Sequence, residues 1–437
     1  MIPTIRVYGL LLLGTAIALG LTAIAPTQLN LLLLALLGFD AVVLAIALWD
    51  GQRVTAQRVE VKRLPISRLS IGRENAINLT VRSGKQPAIV QIRDRYPEAF
   101  VASQPRLQAT LPSSQAEELT YTVRPAQRGE FEWGNLYVRQ LSPWRLMWHG
   151  WTVPNRQSVA VYPDLIGLRS LSIRLTLQTT GNIRRARRQG MGTEFAELRE
   201  YATGDDPRLI DWKATARRDR LLVRVLEPEQ EQTLIVLLDR GRLMTAQVSG
   251  LARFDWGLNA TLALALAGLH RGDRVGIGVF DRQMHTWIPP ERGQHQLAKL
   301  IDQLTPIQPE LLEPDYIGAV TTTAMRQTRR ALVVLITEVI DATASIELLS
   351  AMGRLTPRHL PFCVTLRDPQ IDRQAHQLTI DVPQTYARAV ALDLLTQRQL
   401  AFAKLKQQGV MILDAPANQI SEALVDRYLQ LKARNQL

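Results

Sequence analysis

One cysteine, Cys363, stands in a chain of 437 residues. No intrachain disulfide can form and no cysteine-rich zinc pattern can be built from it, which suits a reducing compartment. Reaction motifs are missing too. The sequence has no Gly-x-x-x-x-Gly-Lys phosphate loop, no Gly-x-Ser-x-Gly nucleophile elbow and no His-Glu-x-x-His pair. Its six histidines are dispersed, without a recognisable ligand spacing. The run from Gly276 to Asp281 begins like a dinucleotide loop but lacks the third glycine and falls inside an expected strand, so it reads as core. No basic run is interleaved with aromatics in the manner that reads single strands, so nucleic acid is not an expected partner.

What is present is enough apolar material to fold. Hydrophobic residues make up 46% and charged residues 21%, which fits two or three packed domains and not a disordered chain. The net charge of +12 and pI near 10.2 would attract phosphate groups of nucleic acid or membrane. Acidic residues are scattered among the basic ones, so a solvated surface of mixed sign is the expectation.

The first 53 residues are read as a membrane hairpin. Val7 to Ala25 carries no charge, and Leu29 to Trp49 is apolar apart from Asn30 and Asp40; each can span the hydrocarbon layer as a helix. Pro26-Thr27-Gln28 leaves room only for an antiparallel turn. Arg6 precedes the first span, while Arg53, Arg58, Lys62 and Arg63 follow the second, which places both ends in the cytoplasm. Ala23-Ile24-Ala25 resembles a signal-peptide cleavage site, but Pro26 directly after it is unfavourable. Asp40, mid-span, needs a proton or a partner, either within the hairpin or on another membrane helix.

Residues 54–170 change to short alternating runs such as Ala76 to Val81, Ile89 to Ile92 and Leu119 to Val123, punctuated by Gly, Pro, Asn and Ser. About seven such runs suggest a β-sandwich of immunoglobulin-like type. Trp144, Trp148 and Trp151 make a local aromatic cluster, read as packing under the sandwich or at the membrane interface, or as a partner patch.

Residues 171–232 are expected to be a linker carrying a dense signature. Arg184, Arg185, Arg187 and Arg188 could touch anionic lipid or lie in an exposed loop. Then come Glu194-Phe195, Leu198-Arg199-Glu200-Tyr201, Gly204-Asp205-Asp206, Arg208, Asp211-Trp212 and Ala216-Arg217. Together these residues resemble the signature of the bacterial domain-of-unknown-function family fifty-eight, DUF58. Arg128 to Phe131 and Ser142 to Leu146 are similar to turn phrases of the same family. Two readings of the signature stay open: a surface for a partner or an anionic ligand made by Glu194, Arg199, Tyr201, Asp205, Asp206, Arg208, Asp211, Trp212 and Arg217, or an ion-pair network clamping the segment to the next domain with Phe195, Tyr201 and Trp212 packed beneath.

From residue 233 to 437, strand-like runs alternate with amphipathic helices, which implies a mostly parallel sheet covered on both faces. The resemblance implies that this is a von Willebrand factor A-like domain. Such domains usually bind ligands through a divalent metal at the carboxyl ends of the strands. At the positions matching that metal loop stand Asp239, Gly241 and Leu243, with Pro314 where a threonine is expected and Glu338 following Thr337 where an aspartate is usual. Asp239 and Glu338 alone offer too few oxygens for a hard cation, so no magnesium or other cofactor is expected, unless Asp281, Asp315 or Asp341 contributes. The leading expectation is a membrane-tethered cytoplasmic scaffold that binds a protein and, with no reaction motif legible, does not catalyse; the resemblance implies a MoxR-type AAA ATPase as the partner class. The alternatives are a metal-dependent hydrolase or transferase using the signature carboxylates, and an envelope receptor with the opposite topology. Oligomeric state and physiological process are not legible.

Overall fold

The computed structural model describes residues 1–24, 29–66, 68–189, 194–227, 231–340, 343, 345–377 and 381–434. The turn Pro26-Thr27-Gln28 and Asp341 lie outside these residues, as do the side chains of Arg184, Arg185, Arg187, Arg188, Glu194 and Phe195. The chain divides into two compact units, Met1–Tyr162 and Pro163–Leu437.

The first unit begins with a two-residue strand β1 (Ile2–Pro3) and the helices α1 (Ile5–Ile24) and α2 (Leu29–Ala56), both long and apolar enough to cross a membrane. α2 continues past the expected end at Trp49 to Ala56, and Asp50, Gly51 and Val54 in that extension are buried. The helices pack closely at Gly14, where an added Cβ would sit 2.7 Å from the Phe39 ring. Asp40 Oδ1 is shielded and lacks a hydrogen-bond partner among the described residues, so the reading in which its neighbour helix bonds it is not what the structure shows for that oxygen.

Eleven more strands follow: β2 (Glu60–Arg63), β3 (Leu69–Ser70), β4 (Asn75–Arg82), β5 (Ala88–Asp94), β6 (Phe100–Ala102), β7 (Leu107–Leu111), β8 (Ala116–Pro125), β9 (Gly129–Trp133), β10 (Leu136–Leu141), β11 (Met147–Val153) and β12 (Gln157–Tyr162). They form sheets in the orders β1-β11-β10-β5-β7, β2-β4-β8-β6 and β3-β12-β9. β4 alternates buried and exposed positions along its length, the period-two pattern of a half-buried strand. The sequence expectation of about seven strands missed the shortest ones, since two or three residues carry no readable period.

A buried polar group joins the sheets. Arg63 on β2 donates to Asp94 on β5 at 2.7 Å, while Tyr121 on β8 and Trp133 on β9 donate to the same carboxylate at 2.8 and 3.0 Å. Arg63 and Asp94 are both only 6% exposed. Burial pushes the Asp94 carboxyl up against the pull of these donors. Arg63, counted in the sequence as a flanking charge at the membrane surface, is therefore an internal cation and contributes nothing to such a surface.

The second unit opens with α3 (Leu165–Gln189), so the sequence-drawn boundary at 170/171 falls inside a helix and not in a linker. An antiparallel pair, β13 (Glu194–Glu200) with β14 (Leu222–Glu227), encloses the short helix α4 (Trp212–Arg218). The rest alternates: β15 (Thr233–Asp239), a small hairpin of β16 (Gln247–Val248) and β17 (Leu251–Ala252), α5 (Arg253–His270), β18 (Arg274–Phe280), β19 (Met284–Glu291), α6 (Gln294–Leu304), α7 (Tyr316–Arg326), β20 (Leu332–Thr337), α8 (Ile346–Leu355), β21 (Leu360–Arg367), α9 (Pro369–His376), α10 (Val382–Gln407), β22 (Met411–Pro416) and α11 (Ile420–Ala433).

The sheet order is β19-β18-β15-β20-β21-β22, with β19 the sole antiparallel member. Along β15, Leu234, Val236 and Leu238 enter one core with α3, α5, α6 and α11, while Ile235 and Leu237 enter the other with α7, α8 and α10. The sheet is thus covered on both faces, which is why its inner strands β15, β18, β20 and β21 are buried along nearly their whole length. After β15 the chain winds one way to β18 and β19, then crosses to β20 on β15's other side. The strand order reverses there, and the crevice at such a point opens outside the carboxyl ends of the strands. Asp239 and Thr337-Glu338 stand at those ends.

Candidate functional site

Asp239 ends β15 with no solvent exposure. Its Oδ1 accepts from the Gly241 amide at 2.7 Å; its Oδ2 accepts from the Thr337 hydroxyl at 2.6 Å and the Tyr316 hydroxyl at 3.2 Å. Tyr316 and Thr337 also bond each other at 3.1 Å. Burial raises the Asp239 carboxyl to about 6, although all three donors pull it down. Gly241 is there because nothing larger fits: an added Cβ would lie 2.8 Å from the Leu312 carbonyl and 3.0 Å from Pro314 Cδ. The strap at 310–314 is tied down by Arg242 N–H to Leu312 O and Glu310 N–H to Arg240 O, both 2.8 Å. Pro314 is buried and Leu243 half-buried.

Glu338 is only 7% exposed. It bonds Arg398 of α10 and lies 3.3 Å from Arg253. Arg398 also reaches Asp414 at 2.9 Å and the Val339 carbonyl at 2.6 Å. Burial drives the Glu338 carboxyl up, opposed by the two arginines. Asp239 and Glu338 thus answer to different partners: a hydroxyl pair for one, guanidinium groups for the other. Of the other possible ligands, Asp281 pairs with Arg240 at 2.7 Å, and Asp315 caps α7 by accepting from the Gly318 amide at 2.7 Å.

A divalent cation of the kind the fold resemblance implies does not fit this set. Magnesium asks for a near-octahedral shell of oxygens. Here Gly241 and Leu243 bring no side-chain oxygen, Pro314 fills space, and the Asp239 oxygens already hold three donors. Tyr316, Arg253, Arg398 and Asp414 were not singled out in the sequence. Their contacts cross long stretches of chain, 77 residues for Tyr316 to Asp239 and 60 for Arg398 to Glu338.

The signature folds as a unit within the β13–β14 pair. Asp205 takes Arg199 in a two-pronged pair at 2.8 and 2.5 Å and the Ala202 amide at 2.8 Å. Arg199 and then the amide hold its carboxyl below the ordinary value. Asp206 accepts from the Arg208 amide at 2.9 Å and Asp211 from the Ala214 amide at 3.0 Å, both as helix caps. Asp211 also pairs with Arg224 at 2.9 Å. Among the described residues, the ion pairs of this segment close within it, so the clamp onto the next strands is not made by these charges. Tyr201 is half-buried, but Trp212 is 67% exposed, contrary to the expectation that it packs beneath. Arg208 and Arg217 are exposed near it in sequence, and Glu194's side chain lies outside the described residues.

Comparison with known proteins meets this geometry. Residues 197–376 match the family model described as Protein of unknown function DUF58. The DUF58 match covers the signature from Glu197 onward, Asp239 and Glu338, and stops before Arg398 and Asp414. Uncharacterized proteins of Mycobacterium bovis and Mycobacterium tuberculosis are 24% identical over 184 residues, 41% of this chain. The chain spans 57% of the length of these relatives. Among solved structures, the conserved hypothetical protein BatB from Bacteroides thetaiotaomicron is 14% identical, with a TM-score of 0.31 over 46% of this chain and 99% of that one. An aerotolerance-related membrane protein from Bacteroides fragilis is 15% identical, with a TM-score of 0.30 over 45% and 99%.

Proposed function

We propose that this protein is a membrane-tethered scaffold whose second unit, a von Willebrand factor A-like domain, binds a protein partner without a metal. In this reading α1 and α2 cross the membrane as a two-pass anchor with both ends in the cytoplasm, and the strand-rich part of the first unit is an immunoglobulin-like sandwich. The observation that carries the proposal is the closure of the Asp239 pocket: the chain's own hydroxyls and amide take the oxygens that a cation would use. A strand-end face built this way offers shape and hydrogen bonds, not Lewis acidity. The exposed Trp212, flanked by Arg208 and Arg217, supplies the kind of aromatic and arginine anchor on which interface energy concentrates.

The partner class proposed is a MoxR-type AAA ATPase. Affinity capture of the full chain from detergent extract, read by mass spectrometry, tests it. Stoichiometric recovery of such an ATPase by the wild type, lost on Trp212→Ala with the melting temperature unchanged, is the expected result. Failure to recover any ATPase rejects the partner assignment.

A further inference from the structure

The foot of the first unit carries a surface that the proposed docking face does not use. The apolar part of α2, Leu29 to Trp49, is about 30 Å long as a helix, the thickness of the hydrocarbon layer. Trp49 therefore marks the level at which α2 leaves that layer. The turn between β10 and β11 is held at the same level. The Trp144 amide donates to Asp50 Oδ1 at 3.3 Å, and the Trp144 and Trp49 rings lie 5.4 Å apart. Thr4, just ahead of α1, grips the turn's other side, donating its amide to the Leu146 carbonyl at 2.9 Å and its hydroxyl to the Arg145 carbonyl at 2.8 Å. β1 completes the hold by pairing with Met147 and Trp148.

What this arrangement displays is aromatic and cationic. Trp49 and Trp144 are 48% and 49% exposed. The Arg53 guanidinium lies 3.8 Å from the Trp49 ring centre and 5.5 Å from that of Trp144. Arg145, at φ 59°, is held in the left-handed region within the turn and is exposed, as is Arg6. Among the described residues Arg6, Arg53 and Arg145 have no ion-pair partner. Asp50, the acid nearest to Arg53 in sequence, is fully buried and turned to the Trp144 amide. Of the three tryptophans clustered in the sequence, Trp144 thus belongs to this foot, while Trp151 lies beside His149 and under Arg58.

We propose that this foot binds the headgroups of anionic phospholipids, with Arg53 and Arg145 on the phosphates and Trp49 and Trp144 seated at the interface. Indole rings prefer that layer, and unpaired arginines at a negatively charged leaflet gain from its potential. The inference rests on the two-span reading of α1 and α2.

The test is native mass spectrometry of the full chain in detergent, titrated with dioleoylphosphatidylglycerol or dioleoylphosphatidylcholine. The wild type retains the phosphatidylglycerol preferentially. Arg53→Gln with Arg145→Gln raises the concentration for half-occupancy by about thirty-fold, and Arg53→Lys with Arg145→Lys stays within a few-fold of wild type. Equal retention of the two lipids by the wild type, or unchanged retention in the glutamine variant, overturns the proposal. Should the glutamine variant not fold, the wild-type preference read in rising sodium chloride decides, because charge contacts at an exposed surface weaken with salt and a salt-insensitive preference contradicts them. Alkaline carbonate extraction separates the two levels. A chain that stays in the membrane pellet yet shows no lipid preference rejects this inference alone, whereas a chain released to the supernatant rejects the two-span reading and this inference with it.

Discussion

At Asp239, burial and hydrogen bonding oppose each other, and the outcome is measurable. Its carboxyl sits at about 6 in the folded chain against 3.8 ordinarily, so the folded state holds the extra proton between those values. Stability from this group is fully present below pH 3.8 and is lost as pH rises through about 6, by up to about 3 kcal/mol. Asp239→Asn should keep the fold and remove this pH dependence, seen in thermal melts between pH 4 and pH 7. Asp239→Ala should instead lower the melting temperature at every pH, because each stranded donor costs about 1–3 kcal/mol. The position of Asp239 was legible in the sequence, since an apolar strand ending in an acid marks the mouth of a sheet. The hydroxyls that seal it were not, because nothing local in Pro314-Asp315-Tyr316 says that the ring turns back 77 residues to meet the strand.

Elements built on strong periodicity were readable, and those defined by their neighbours were not. The parallel strands announce themselves as runs such as Leu332 to Thr337, buried at every position. β19 was missed because Met284 to Glu291 contains Pro289-Pro290 and alternates poorly, which only an edge strand tolerates. α3 was missed because its basic second half reads as a loop. One tie between elements is Arg398 of α10, which holds Glu338 after β20 and Asp414 of β22. Arg398→Met leaves both carboxylates without it and should cost about 3–5 kcal/mol in denaturant unfolding. In the hairpin, Gly14→Leu meets the Phe39 ring, and the overpacking should cost about 1–3 kcal/mol, visible as a lower melting temperature in detergent.

At the scale of the whole molecule, topology and metal independence are the properties the proposed function needs. A reporter active only in the cytoplasm, fused after the last helix α11, should be active. Activity of a periplasmic reporter there would instead support the opposite orientation. Calorimetry of the full chain with magnesium or manganese should give no binding heat. A tight endothermic or exothermic isotherm would revive the hydrolase alternative, since the signature carboxylates Asp205 and Asp211 are otherwise committed to Arg199 and Arg224.

The close contact at Gly241 makes the sealed pocket hard to reopen. A serine there would bring its Cβ to 2.8 Å from the Leu312 carbonyl and 3.0 Å from Pro314. One substitution cannot place a side-chain oxygen there, because the incoming Cβ collides with a backbone strap that is itself bonded to Arg240 and Arg242. A hydroxyl at this position therefore requires residues 310–314 to loosen first, and that loosening breaks the Arg242 N–H to Leu312 O and Glu310 N–H to Arg240 O bonds. In that sense the glycine behaves as a latch: the strap closes over it, and one change alone does not open it.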